Sequence, residues 1–270
     1  MYASYFYNAG ATATDVMNDI VAILTGETDV NNLSQSCDKT QTQIKVDYSP
    51  SGWNLEGRPS ANRVVLSSPH TQDQTRKKLL VLDSSTFSSG YLKVGSAKGY
   101  SSATGLTSPY FLPSSNCPKV DLTNGGRLEI YADPKIVLFF SYTGGTFSDW
   151  SGVCELSLTP YDNKGWAIVK DGGFYVAEAT DWSGTTQSWF SGAYLRFIGR
   201  EARLDNSVVE ATRFLVSHYN LKVLSEVPSV YELPDGFGAI FDTIVFPDGK
   251  TYVIWSNDGG TQERAAIPWG

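Results

Sequence analysis

A mainly β fold is what this sequence predicts, on three observations. Short apolar runs bounded by Gly, Pro, Asn or Asp recur along most of the chain, the usual signature of antiparallel strands. One segment, near the N-terminus, keeps convincing helical spacing instead. Aromatic residues reach 13% while charged residues reach only 18%, which suits half-buried pleated surfaces joined by turns. The expected architecture is an antiparallel β-sandwich, or a β-rich protein of two subdomains, with a short N-terminal amphipathic helix. The two subdomains are 1–119, a helix plus β unit, and 120–270, an antiparallel β unit.

Residues 12–25 carry the helix. Val16, Met17, Ile20, Val21 and Leu24 recur at i, i+3, i+4 spacing and make one apolar face. Thr12 or Thr14 caps the start, Asp15 complements the dipole in the first turn, and Thr25-Gly26 closes the end. So short a helix must be held by packing. Its apolar face lies either on the chain's own sheet or, as a docking element, in a neighbour's groove. Asp29 to Leu33 adds a helical turn.

Strands are then expected at Thr42–Asp47, from Gly52-Trp53, at Arg63–Leu66, at Lys78–Leu82 and at Tyr91–Val94. The basic run Arg76-Lys77-Lys78 reads as a solvated loop or strand start. Residues 83–118, rich in Ser, Gly and Pro, are either a surface excursion or the boundary between subdomains. From Arg127 onward the strand pattern is clearest. Leu128–Tyr131 alternates. Ile136–Phe140 has no polar position and is expected to be buried on both faces. Val153–Leu158, Trp166–Lys170, Phe174–Ala177 and Gly192–Ile198 follow. Residues 207–224 fit either a helical stripe or a hairpin, with strands favoured by the neighbourhood. Phe241–Phe246 and Thr251–Trp255 flank the turn Pro247-Asp248-Gly249-Lys250. The tail Ile267-Pro268-Trp269-Gly270 docks on a neighbour or lies loosely. One echo stands out: Asp149-Trp150-Ser151-Gly152 recurs as Asp181-Trp182-Ser183-Gly184, each reading as a type I turn.

Composition excludes several function classes. A net charge of −7 argues against sequence-independent nucleic-acid binding. No apolar run approaches a membrane span, and no basic n-region precedes an apolar stretch, so the expectation is a protein kept in a cytoplasm until used, without membrane insertion. The three cysteines, Cys37, Cys117 and Cys154, are far apart and read as buried thiols, and the two histidines do not make a metal site. No cofactor motif is present: the Gly pairs sit between strands and none opens a helix.

Two chemistries fit the aromatic richness. Asp149, Glu155, Asp162, Asp171, Glu178 and Asp181 lie among tryptophans, as in a glycoside hydrolase, but nothing in their spacing selects a catalytic pair. Trp150, Trp182 and Trp189 are candidates for stacking on a glycan or a partner. Nucleophilic catalysis has no Gly-x-Ser-x-Gly to start from.

The opening of the chain resembles the N-terminal segment of tailed-bacteriophage virion structural proteins. The residues that carry the resemblance are the aromatic start Tyr2 to Tyr7, the helix Thr14 to Leu24, then Ala22-Ile23-Leu24-Thr25-Gly26-Glu27-Thr28-Asp29, Leu33-Ser34, Cys37 and Gly52-Trp53. It implies a structural component of the virion, associated with the tail or baseplate, or else with head decoration or the collar. It would work as a homo-oligomer among other virion proteins, without chemistry. A lectin-like module of a tail part touching a host-surface glycan is the alternative, and a glycan-degrading enzyme a third.

Overall fold

The chain begins as a strand. The computed structural model describes residues 1–114, 117–143, 146–156, 165–170, 173–176, 212–218, 222–234, 236–256 and 264–270, together with short strands at 196–197, 204–205 and 208–209. In β1 (Tyr2–Tyr7), Ala3, Tyr5 and Tyr7 face one layer of the molecule while Tyr2 faces another, the period-2 alternation of a pleated strand. Helix α1 (Ala13–Leu24) is capped by Thr12, whose side chain accepts the Asp15 N–H at 3.1 Å. It ends at Thr25 and Gly26, the glycine at φ +104°, where a Cβ would be strained.

The apolar face of α1 is spent inside the molecule. Val16, Met17, Ile20, Val21 and Leu24 are at most 6% exposed. They pack with Tyr5, Ile130 and Val137 in one core. This corrects the docking-element expectation: the chain's own sheet occupies the face that a neighbour's groove would need. A polar pin sets the helix on that sheet. Asp19, 3% exposed, accepts the Tyr5 hydroxyl at 2.9 Å and both the N–H and hydroxyl of Ser34 at 2.7 Å. A buried carboxylate is tolerated because several donors replace its water.

β2 (Gln43–Lys45) pairs with β1 at the edge of the largest sheet. The chain then builds a second sheet from β3 (Asn54–Ser60), β4 (Arg63–Pro69), β5 (Lys77–Asp83) and β6 (Lys93–Ser96). The ribbon of β7 (Gly99–Ser101) and β8 (Gly105–Thr107) follows, and β9 (Tyr110–Phe111) completes the sheet in the order β3-β4-β5-β6-β9. Val64, Leu66, Leu80 and Leu82 point to the α1 core. Their neighbours Val65, Leu79 and Val81 point outward, under Tyr100 and Leu106 of the ribbon. The strands described within 83–111 therefore belong to this sheet and its cover.

β10 (Gly126–Asp133), β11 (Ile136–Thr143), β12 (Thr146–Glu155), β13 (Trp166–Lys170) and β14 (Gly173–Val176) return to the first sheet, which runs β14-β13-β12-β11-β10-β1-β2, antiparallel throughout. β1 pairs with β10 from Tyr2↔Tyr131 to Tyr7↔Gly126. The sheets thus do not divide near residue 120, because the first strand is hydrogen-bonded into the second half of the chain. Residues 136–140 of β11 are buried on both faces as their composition required. Val137 and Phe139 face the α1 core; Ile136, Leu138 and Phe140 face the opposite one.

That opposite core is closed by a third sheet. After β15 (Arg196–Phe197) and the paired β16 (Leu204–Asp205) and β17 (Val208–Val209) come β18 (Thr212–His218), β19 (Lys222–Leu233), β20 (Thr243–Val245), β21 (Thr251–Ser256) and β22 (Arg264–Pro268), in the sheet order β15-β18-β19-β22-β21-β20. Within the ambiguous 207–224 segment, 212–218 and the start of β19 from Lys222 pair as antiparallel strands, and 208–209 pairs with 204–205. The C-terminal tail is not loose: β22 lies between β19 and β21, and the Trp269 ring sits 4.7 Å from that of Tyr2. Trp255, fully buried, stacks on Phe140 at 4.3 Å and joins the two sheets. The result is a mainly β molecule with the seven-stranded sheet in the middle.

One sequence reading fails and another is refined. Asp149-Trp150-Ser151-Gly152 is no turn; it lies within β12. Gly152 faces Leu138 across the ladder, where a Cβ would overlap the Val137 carbonyl oxygen. The glycine is there for close strand approach. The second copy, 181–184, lies outside the described residues. The basic run, read as a solvated loop or strand start, runs into the start of β5, with Lys78 fully buried.

Candidate functional site

Pairing β1 between β10 and β2 brings the β10–β11 turn, Asp133-Pro134-Lys135, to one end of the middle sheet. Segments from five other parts of the chain meet it there: Tyr48-Ser49, Thr71, Ser229 with Tyr231, the β20–β21 turn with Tyr252, and Pro268 with Gly270. Together they line an open cleft of about 520 Å³. Asp133 is its hub. One carboxylate oxygen accepts the N–H groups of Lys135 at 2.6 Å and Ile136 at 3.0 Å; the other accepts the hydroxyls of Tyr131 and Ser229, both at 2.8 Å. Four donors hold the carboxylate and the turn in one geometry. Gly52, at φ +70°, lets the chain pass Pro134, whose Cγ would lie 2.7 Å from an added Cβ.

The opposite wall is aromatic. Tyr252 stacks on Phe246 at 4.2 Å and meets Tyr231 edge-on at 5.6 Å. Its hydroxyl is pushed up by burial, with Tyr231 and Asp248 adding to the effect. Tyr48 is 40% exposed, and its hydroxyl accepts the Thr251 N–H at 3.1 Å, which fixes the ring. Lys250 sits over that ring at 5.7 Å.

Behind Thr71 stands a buried ion pair. Glu155, at the end of β12, accepts Lys78 Nζ at 2.7 Å and the Thr71 N–H at 2.9 Å, and also the Thr71 hydroxyl. His70, fully buried, accepts the Gln72 N–H on Nδ1 at 3.1 Å, so Nε2 carries the proton and donates to the Leu156 carbonyl at 3.0 Å. Burial opposes the Glu155 carboxylate, but the hydrogen bonds from Lys78 and Thr71 together hold its pKa below the ordinary value. Burial also lowers the Lys78 ammonium, against the pull of Glu155.

A second buried carboxylate behaves oppositely. Glu129, in the layer facing the third sheet, accepts the hydroxyls of Tyr2 at 2.8 Å and Ser4 at 2.5 Å and pairs with Arg127, which lies over the Phe241 ring at 4.0 Å. Here burial wins and raises the pKa, Arg127 and the two hydroxyls opposing it. Folding therefore tightens this proton, and stability from this group falls as pH rises from the ordinary value of 4.5 through the folded one. A Glu129→Gln variant has no such titration. The parent is expected to gain on the variant as the pH falls from 7 toward 4.5, by about 1.4 kcal/mol for each pH unit separating the folded and unfolded pKa values. Denaturant midpoints across that range test it; a parent that loses ground to the variant on acidification would show the sign to be wrong.

Of the expected glycan contacts, Trp150 is 7% exposed, its ring 5.9 Å from Phe140 between the middle and third sheets. It presents no open face. Trp182 and Trp189 lie outside the described residues, as do Asp162, Asp171, Glu178 and Asp181. Glu155 is committed to its ion pair. The cleft tyrosines were missed because the rings arrive from distant segments; the one available signal was the abundance of tyrosine, 15 in the chain. All three cysteines are buried thiols, and burial raises that of Cys154. Among the described residues no group of three or more His, Cys, Asp and Glu is placed to hold a metal ion, and no helix is long and apolar enough to cross a membrane. No protein-family model matches the chain, and no curated protein matches it.

Proposed function

We propose that this protein is a structural component of a tailed-phage virion, of the tail or baseplate, working as an oligomer through protein–protein assembly without a chemical step. One observation carries this: several buried groups capable of chemistry are used to hold structural elements together. Glu155, Lys78 and His70 join the second sheet to the middle one; Asp19 pins the helix; Glu129 and Arg127 brace the middle layer. A body built this way is rigid, which suits a particle part. The resemblance of the opening residues supports the same reading.

Virions purified from cells making this protein should contain it in fixed stoichiometry by mass spectrometry. The isolated chain should scatter light as a multiple of its 29.5 kDa mass. Absence from purified particles would overturn the proposal. Particles carrying the chain on the capsid, by immunogold labelling, would replace the tail assignment with head decoration or the collar.

A further inference from the structure

We propose that the cleft at the β10–β11 turn is a binding site for a neutral oligosaccharide. Its volume, about 520 Å³, falls within the roughly 300–1,000 Å³ of small-molecule sites. Its side-chain charges balance, Asp133 and Asp248 against Lys135 and Lys250, so its side chains favour neither sign of ion. What it does offer is the exposed ring of Tyr48 beside hydroxyl, ammonium and carboxylate groups. A sugar ring presents the same two faces, C–H groups on one side and hydroxyls around the edge, and aromatic rings take the first while polar groups take the second.

The cleft is also preorganised. The Asp133 carboxylate is fixed by four donors, and the Thr251 N–H fixes the Tyr48 ring. Ser229 is held at φ +63°, a left-handed conformation that costs a non-glycine residue free energy. Its hydroxyl donates to Asp133 at 2.8 Å, leaving its lone pairs to accept from a ligand. Strain kept at the edge of a cleft is an independent pointer to binding. Groups already set in place lower the cost of ordering on association.

The intact chain would be applied to an array of neutral hexose and N-acetylhexosamine oligosaccharides, with sialylated and sulfated glycans alongside. The strongest neutral binder would then be titrated calorimetrically against the parent, Tyr48→Ala and Ser229→Gly. Glycine suits the φ of residue 229, so that variant is expected to fold while losing the hydroxyl and one of the four donors to Asp133. The expected result is neutral-glycan binding weakened at least tenfold by Tyr48→Ala and measurably by Ser229→Gly. No neutral glycan bound, binding confined to the acidic glycans, or affinity unchanged in Ser229→Gly would overturn the proposal; the last holds even if Tyr48→Ala does not fold.

Discussion

Replacing Gly152 by alanine should cost about 4 kcal/mol or more, or prevent folding, far more than a single methyl group costs at an ordinary site. Gly152 lies in β12 opposite Leu138 of β11, in the middle of the largest sheet. An added Cβ would overlap the Val137 carbonyl oxygen and sit 3.0 Å from the Leu138 Cα. Both obstacles are backbone, so no rotamer change relieves them. The strands must part, and β11 cannot move freely. Its side chains fill two cores at once, Val137 and Phe139 on one side, Leu138 and Phe140 on the other. Close packing passes the displacement to both adjoining layers. Gly99→Ala is the control, since the nearest atom to its added Cβ is the Thr107 hydroxyl at 3.9 Å. It should change stability by no more than about 0.5 kcal/mol. Chemical denaturation of the two variants decides the matter: Gly152→Ala within about 1 kcal/mol of the parent would show that the strands yield.

Gly152 also marks what sequence can and cannot say. Asp, Trp, Ser and Gly in a row carry turn chemistry, and only a neighbouring strand reveals that the glycine is there for close approach. Ile136 to Phe140 was legible because it lacks any polar position, which makes burial on both faces unavoidable. The helix was legible from its spacing and caps, but what covers its apolar face was not: periodicity is the same for a core helix and a docking helix. β1 hid in its tyrosines. Tyr2, Tyr5 and Tyr7 divide between two layers, yet a tyrosine reads as neither plainly apolar nor plainly polar. The cleft was illegible because its walls come from residues as far apart as Tyr48 and Tyr252, brought together by the β1–β10 pairing and the layering of the third sheet.

Removing one partner of the Lys78–Glu155 pair should be the other severe change. Glu155→Ala or Lys78→Ala leaves a buried charge without its counter-ion, which typically costs about 3–5 kcal/mol. Lys78 is fully buried in β5 of the second sheet, Glu155 is 6% exposed in β12 of the middle sheet, and Thr71 binds the same carboxylate. Combining Lys78→Met with Glu155→Gln removes both charges at little change in volume. It should cost less than the sum of the two single changes, by at least about 1 kcal/mol. The pH dependence has a definite sign. The Glu155 pKa is held below its ordinary value of 4.5, so its contribution is full above that value and is lost as the pH falls through the folded one. Denaturant midpoints of the parent should therefore drop below about pH 4.5, and the double variant should lose less over the same interval. Additive single changes, or equal acid losses in parent and double variant, would mean that the pair does not couple the two sheets. Because Thr71 lies between this carboxylate and the cleft, Lys78→Ala should also loosen that wall, with amide exchange at Thr71 quickening more than at Ala3 in the middle of β1.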